Sequence, residues 1–493
     1  MAQDFAAHIL ARFISQKNDL STVMFSSSLW SSMPILGTLA VAVAVEFLLL
    51  PVEATPPIRG WMSWERFTCE VDCSRFPETC IGERLIMTMA EAMEEEGFVA
   101  AGYNSVQIDD CWLAGQRDAT GNLQADPQRF PRGIKFVADY VHSKGMKLGL
   151  YSDVGSATCC GLPSFNVSAV PDPQADTQLQ RDTELLMSWG MDSIKVDGCN
   201  ADAKTMNVTY PKLGAALRAA AEKLGRPSPW YSCSWADYVG DTLCGGSRVE
   251  PCVPLHDIAA TCQSARLYAD IADTWQDASN HGVKNIIDFW TKNPQFAMLR
   301  NSLPHTSVYF NDPDQLMVGN RGLSPSEAEV QMGMWVMWSA PLILSTEMRN
   351  GSLSADAKAI LLNKEVLALA DDELSLQATQ CLSGCSNHGV LYGGSVSVWN
   401  KTLADGSVAV ALLNTGDFGN SGSAFGDFNI SFTAQAVGLT CGSVDGNEQV
   451  RFKARNLFRG SDLGKFQSTF WSEVDESSIM LLRLHCVNEF VNV

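Results

Sequence analysis

One pattern restricts this chain more than any other. Short β-branched or aromatic runs alternate with amphipathic, helix-length segments at intervals of about forty residues. Strand-like runs fall at 58–64, 104–109, 147–153, 194–199, 230–234, 268–271, 307–310 and 342–345. Helical segments fall at 82–97, 133–144, 177–189, 210–224, 283–300, 324–338 and 355–370. Strand, loop and helix in repetition mean parallel strands joined by crossover helices. Eight strands in one such series predict a closed (β/α)8 TIM barrel, an α/β fold; the Gly-x-Gly-x-x-Gly turn of a dinucleotide-binding sheet is missing.

After 370 the rhythm changes. Runs at 395–399, 408–413, 428–432 and 479–484 alternate in polarity, between turns rich in Gly, Asn, Ser and Asp. That pattern predicts a small C-terminal antiparallel β-sandwich domain. The expected organisation is a leader at 1–54, a catalytic barrel at 55–375 and an antiparallel β domain at 376–493. Within the leader, 34–51 is apolar apart from Glu46, and Val52-Glu53-Ala54 offers the small residues that a signal peptidase reads. Thr55 is the expected mature start, with translation opening at Met24 or Met33 or with an extended leader. An uncleaved anchor is the second reading, and the run is short for a membrane span.

Composition narrows the compartment and the partners. The formal net charge of -20 repels polyanions, so nucleic acid is not an expected partner. Fifteen cysteines stand beside only seven histidines and form no Cys-x2-Cys pair, which favours disulfides over zinc. Sequons at Asn166, Asn207, Asn350, Asn400 and Asn429 fit a secreted glycoprotein. The expected location is the secretory pathway, either lysosomal or vacuolar, or extracellular. Neither a metal nor a cofactor is called for.

The chemistry is expected where strands end. In a parallel barrel the carboxyl rim carries the active residues, and Ile194-Lys195-Val196-Asp197-Gly198-Cys199 ends in an acid. Lys195 shares a strand face with Asp197, and an ammonium there would keep that carboxylate ionised, as a nucleophile requires. The bland alternative is an Asp that caps the next helix. Other strand ends carry Asp109, Asp110, Asp270, Asp273, Asp312 and Asp314, with Trp64, Trp112, Tyr151, Trp235, Tyr238 and Trp275 close by. Carboxylates that fork to hydroxyls, set among aromatic faces, describe a sugar pocket, and two carboxylates across one bond are the equipment of a glycosidase.

The stretches GWMSWERF, IDDCW, QADPQRFPRGIK, YVHSKGMKLGLYSDVG, IKVDGC, YSCSW and FNDPD together resemble glycoside hydrolase family 27, the α-galactosidases and α-N-acetylgalactosaminidases. The resemblance covers most of the barrel. It implies a retaining exo-glycosidase that removes terminal α-linked galactose or N-acetylgalactosamine from glycolipids, glycoproteins or oligosaccharides. It implies Asp197 as nucleophile and Asp270 as acid/base, with Asp109 and Asp110 gripping the 4-OH and 6-OH between Trp64 and Trp112. Tyr151, Lys195, Arg266 and Asp314 match further pocket positions. The disulfides it implies are Cys69–Cys111, Cys73–Cys80, Cys159–Cys199 and Cys233–Cys262. Dimers occur in the family, so the resemblance admits a homodimer.

At the 2-position, Cys233-Ser234-Trp235 resembles the N-acetylgalactosaminidase pattern, in which a small Ser leaves room for the acetamide. The next specificity position is Asp237, which fits neither subgroup, and Tyr238 follows it. Gln315 stands where the family carries Met, Leu303-Pro304-His305-Thr306 replaces a Gly-Pro-Gly run, and 241–261 reads as an insertion with Cys244 and Cys252 as its own pair. The rivals are a strict α-galactosidase and a secreted sugar-binding homologue without activity. The presence of both Asp197 and Asp270 speaks against the latter.

Overall fold

A computed structural model describes residues 55–386, 388–391, 394–416, 428–441 and 450–487. The leader and its cleavage site lie outside the described residues. Eight parallel strands run in the order β7-β6-β5-β4-β3-β2-β1-β8. They are β1 (Arg59–Met62), β2 (Ser105–Gln107), β3 (Lys147–Asp153), β4 (Ser193–Asp197), β5 (Trp230–Cys233), β6 (Ser264–Arg266), β7 (Phe310–Asp312) and β8 (Leu342–Leu344). The ring closes just past β7: Leu316 bridges Leu344, with Leu316 N–H donating to the Ile343 carbonyl at 2.7 Å.

The helices are α1 (Trp64–Phe67), α2 (Glu83–Glu95), α3 (Gly133–Ser143), α4 (Pro173–Ser188), α5 (Met206–Lys223) and α6 (Trp235–Leu243). They continue as α7 (Leu255–Thr261), α8 (Val283–Lys292), α9 (Gln295–Ser302), α10 (Pro325–Met337), α11 (Ala355–Leu361) and α12 (Lys364–Ala370). Apolar residues at helical spacing, such as Leu85, Ile86, Met89, Ala90 and Met93 of α2, turn one face onto the sheet. α4 begins a turn before the expected 177, because the Asp172 carboxylate caps the N–H groups of Gln174 and Ala175 and Pro173 opens the helix.

Several expected elements are displaced. Tyr268 to Ile271 is not a strand: β6 lies at Ser264–Arg266, so Asp270 sits on the loop beyond it. β7 begins at Phe310, the last residue of the expected strand. The helix expected over 283–300 is two helices, broken at Asn293-Pro294, where the ring of Pro294 cannot continue the ladder. The helix over 355–370 is also two, restarted by the Asn363 cap.

The C-terminal part pairs β9 (Thr379–Gln380), β10 (His388–Leu391), β11 (Gly394–Thr402), β12 (Val408–Asn414), β14 (Arg451–Asn456), β15 (Ser461–Gln467) and β17 (Ser478–Cys486) in one antiparallel sheet. A second sheet joins β13 (Phe428–Thr433) to β16 (Thr469–Val474). Val398, Val410, Leu412, Ile430, Phe432, Phe452, Phe470 and Leu482 fill the space between them. From Val330 to Met337 helix α10 is buried on every side, between the barrel segment Asp314–Met317 and strands β11, β12 and β17 of the sheet. Gly333 sits at that contact; a Cβ there would lie 2.7 Å from Ile479 Cδ1. Asn166, Asn207, Asn350 and Asn429 are exposed, whereas Asn400 donates its amide to the Val437 carbonyl at 3.2 Å.

Candidate active site

The site is assembled where β1 to β7 end. At β4 the Asp197 carboxylate accepts hydrogen bonds from the Tyr151 hydroxyl at 3.1 Å and from the Gly198 N–H at 3.2 Å, and the Tyr238 hydroxyl also bonds to it. Burial, reinforced by that carboxylate, raises both tyrosines above their ordinary range, so they act as O–H donors. The Cys159–Cys199 disulfide joins the loops after β3 and β4 beside the two hydroxyls, 3.0 Å from Tyr151 Oη and 2.9 Å from Tyr238 Oη.

Lys195 corrects one expectation. Its ammonium donates to Asp109 Oδ2 at 2.8 Å, so its direct partner is Asp109 and not Asp197. Burial works against that charge, but the carboxylates of Asp109 and then Asp197 outweigh it and raise the lysine above its usual value. Burial raises Asp109 despite the pairing. Asp109 is further fixed by its own N–H, which donates to Ser63 Oγ at 3.0 Å.

Asp110 is fully enclosed. Its two oxygens accept from the Cys111 N–H at 2.7 Å and the Cys160 N–H at 2.9 Å, tying the loop after β2 to that after β3. Trp112 is likewise buried, with its indole N–H on the Tyr151 carbonyl at 3.0 Å, so it backs the pocket wall. Trp64 stands half-exposed at the start of α1. Asp153, which was passed over as a site residue, accepts from Gly155 N–H at 2.5 Å and Cys199 N–H at 2.8 Å; burial pushes it up to about 7.

The opposite rim gathers round Arg266. Its guanidinium contacts Asp270 Oδ1 and Asp314 Oδ2, each at 2.9 Å. The Asp270 side chain is 72% exposed, and Arg266 holds its carboxyl below the usual carboxylate range. Asp314, nearly buried and in the left-handed region at φ 81°, also accepts from the Ile271 N–H at 2.9 Å, which pins the Asp270 loop. Burial pushes Asp312 up to about 6. Ser234 is buried at the end of β5, and Trp235 stacks on Tyr210 at 5.8 Å. Asp237, on the first turn of α6, pairs with Arg248 at 2.6 Å.

Asp197 and Asp270 share two neighbours. Both act electrostatically on Lys195 and on Tyr238. Sequence reasoning missed Glu65 and Arg248 as site residues. Burial, then the charges of Asp314 and Asp270, push Glu65 up to about 8, which favours its neutral form beside the carboxylates. Its signal was an acid one residue past Trp64 at the first strand end; Arg248 had none beyond the two cysteines around it.

The family model described as Alpha galactosidase A matches residues 55–372, and that of the Alpha galactosidase C-terminal beta sandwich domain matches 393–484. The chain belongs to glycoside hydrolase family 27. It is 37% identical to human Alpha-galactosidase A over 390 residues, covering 79% of this chain and 80% of that protein. It is 36% identical to rat Alpha-N-acetylgalactosaminidase over 378 residues, covering 76% and 81%. The crystal structure of alpha-galactosidase I from Mortierella vinacea superposes with a TM-score of 0.68 at 26% identity, over 88% of this chain and 98% of that one. This family 27 chain is a glycoside hydrolase of the α-galactosidase and α-N-acetylgalactosaminidase type.

Seven disulfides occur among the described residues: Cys69–Cys111, Cys73–Cys80, Cys159–Cys199, Cys233–Cys262, Cys244–Cys252, Cys381–Cys385 and Cys441–Cys486. Such a density suits the oxidising secretory pathway. Cys160 is free and exposed.

Proposed function

We propose that the protein is a retaining exo-glycosidase that removes terminal α-galactose-type residues from glycoconjugates, in a catalytic unit spanning 55–375. Asp197 attacks the anomeric carbon while Asp270 gives its proton to the departing oxygen. Water, deprotonated by Asp270, then hydrolyses the glycosyl–Asp197 ester, and two displacements return the α configuration. Lys195 and Asp109 bind sugar hydroxyls as a charged pair, Trp64 offers an apolar face, and Tyr151 and Tyr238 stabilise Asp197 as its charge changes.

The observation that carries this reading is the Asp197 carboxyl group, held by two tyrosine hydroxyls, within the electrostatic reach of the same lysine that senses Asp270. Ser234 leaves room at C2, so both α-galactose and α-N-acetylgalactosamine are substrates. Delivery is to an acidic lysosomal or vacuolar compartment or to the exterior, as a homodimer. Rates on the two p-nitrophenyl α-glycosides, with the first-formed anomer followed by NMR, test the reading. The expected first product is the α-anomer; β-anomer first, or turnover of neither glycoside, overturns it.

A further inference from the structure

The loop that carries Asp270 leaves the barrel early. β6 ends at Arg266, so Leu267 is the first residue past the ladder, and it is fully buried. A buried carbonyl outside a ladder needs a donor from elsewhere in the fold. Arg248 supplies one: its Nε donates to the Leu267 carbonyl at 2.7 Å. Arg248 is itself fully buried, and its Nη2 donates to Asp237 Oδ1 at 2.6 Å and to Asp241 Oδ1 at 2.8 Å, both on α6. The planar guanidinium is thereby a strut between α6 and the loop, three residues before Asp270.

The strut is held from behind. Its segment lies between α6 and α7, and Cys244–Cys252 closes it. Gly240 makes space for it; a Cβ there would fall 2.1 Å from Arg248 Nη1. The cation sits 5.7 Å from the centre of the Phe289 ring, which stacks at 3.7 Å on Tyr268, the residue after Leu267. Other tethers of the loop come from within the pocket. Arg266 donates to the Tyr268 carbonyl at 3.1 Å and to Asp270 Oδ1 at 2.9 Å, and Asp314 accepts from the Ile271 N–H at 2.9 Å. With 72% of its side chain exposed, Asp270 takes little of its orientation from packing, so its place depends on how its loop is fixed.

We propose that Arg248 is a positioning residue for the acid/base: by holding the Leu267 carbonyl it sets the distance between the Asp270 carboxyl group and the departing glycosidic oxygen. This rests on the assignment of Asp270 above. The contacts of Arg248 are with protein groups, so its influence reaches the reaction through Asp270. A misplacement of about 1 Å costs about 10²-fold in rate. Here that loss falls on leaving groups that need a proton and spares those that do not.

The test measures kcat/KM on a series of aryl α-glycosides whose phenols span a wide range of pKa, with galactose or N-acetylgalactosamine as the sugar, whichever is cleaved faster. The enzymes are wild type, Arg248→Met, Asp270→Ala and the double variant. Asp270→Ala makes the rate fall steeply as the phenol becomes more basic. Arg248→Met gives a slope between that of wild type and that of Asp270→Ala, losing about 10- to 100-fold on the most basic phenol and far less on the most acidic. In the double variant Arg248→Met adds no further slope, because the group that it positions is gone. A purely structural role would lower all rates alike in both backgrounds. If Arg248→Met fails to fold, Arg248→Lys decides by the same slope, because an ammonium keeps a charge beside Asp237 but cannot span Asp237 and Leu267 together. A wild-type slope in the Arg248 variant, or an equal added slope in the double variant, overturns this proposal while a steep Asp270→Ala slope leaves the acid/base assignment standing. A wild-type slope in Asp270→Ala overturns that assignment and this proposal with it.

Discussion

The two halves of the catalytic rim are held by different physics. From β1 to β4 the carboxylates of Asp110, Asp153 and Asp197 are oriented by short bonds from backbone N–H groups and hydroxyls, Asp109 adds an ion pair with Lys195 to its bond from the Asp110 N–H, and Cys69–Cys111 and Cys159–Cys199 tie their loops. From β5 to β7, Asp237, Asp270 and Asp314 converge on the guanidinium groups of Arg248 and Arg266. The first half fixes geometry mainly through the chain itself, which suits the nucleophile proposed for Asp197. The second fixes it through charge, and the Arg266 guanidinium favours the ionised form of Asp270, the form that the proposed mechanism needs to deprotonate water.

The largest expected effect lies in the second half. Asp270→Ala loses about 10²- to 10⁴-fold in kcat on alkyl glycosides, the usual worth of a general acid, and far less on substrates whose leaving group needs no proton. Steady-state rates against leaving-group pKa check this. Next comes Arg266→Met, which leaves the nearly buried Asp314 without its partner and costs about 3–5 kcal/mol of stability by denaturant titration. In the first half, replacing Cys159 and Cys199 together by Ser costs about 3 kcal/mol and detaches the anchor between the two tyrosine hydroxyls. Activity should fall with it, whereas a variant as stable and active as wild type would erase the contrast between the halves.

The smallest effect is a pH slope that spans both halves. Burial raises Glu65 to about 8, Asp153 to about 7 and Asp312 to about 6. An acid whose folded pKa exceeds its unfolded value binds more protons when folded, so stability falls as pH rises through that interval. Lys401, pushed down to about 7 by burial, gains stability only as pH rises above that value, and within the lower window His485, which burial lowers, opposes the three acids as a single partly exposed group. Tm is therefore higher at pH 5 than at pH 7, and Glu65→Gln flattens part of the slope.

The same division decides how much could be read in advance. Asp197 and Asp109 were legible because each ends or follows a strand of alternating pattern, and the chemistry of such a rim follows from the barrel. β6 was misplaced because Ser264-Ala265-Arg266 is three residues long and polar at both ends, while Tyr268 to Ile271 imitates alternation on a loop. Lys195 was assigned to the acid on its own strand, but its stem reaches across the barrel mouth to Asp109. No local pattern marks Arg248, whose meaning comes from the fold that brings Asp237 and Leu267 to it. In the β domain, β14, β15 and β16 escaped notice because polar residues interrupt their apolar positions.

The central claim is that Asp197 forms a covalent bond to the sugar. An activated fluorinated α-galactoside, whose glycosyl ester hydrolyses slowly, should trap that state in the intact enzyme. Mass spectrometry of the digested protein is predicted to find the sugar on the peptide containing Lys195 to Cys199, with the mass carried by Asp197. A label on Asp109, Asp270 or Asp314, or inactivation with no covalent label, would contradict the account.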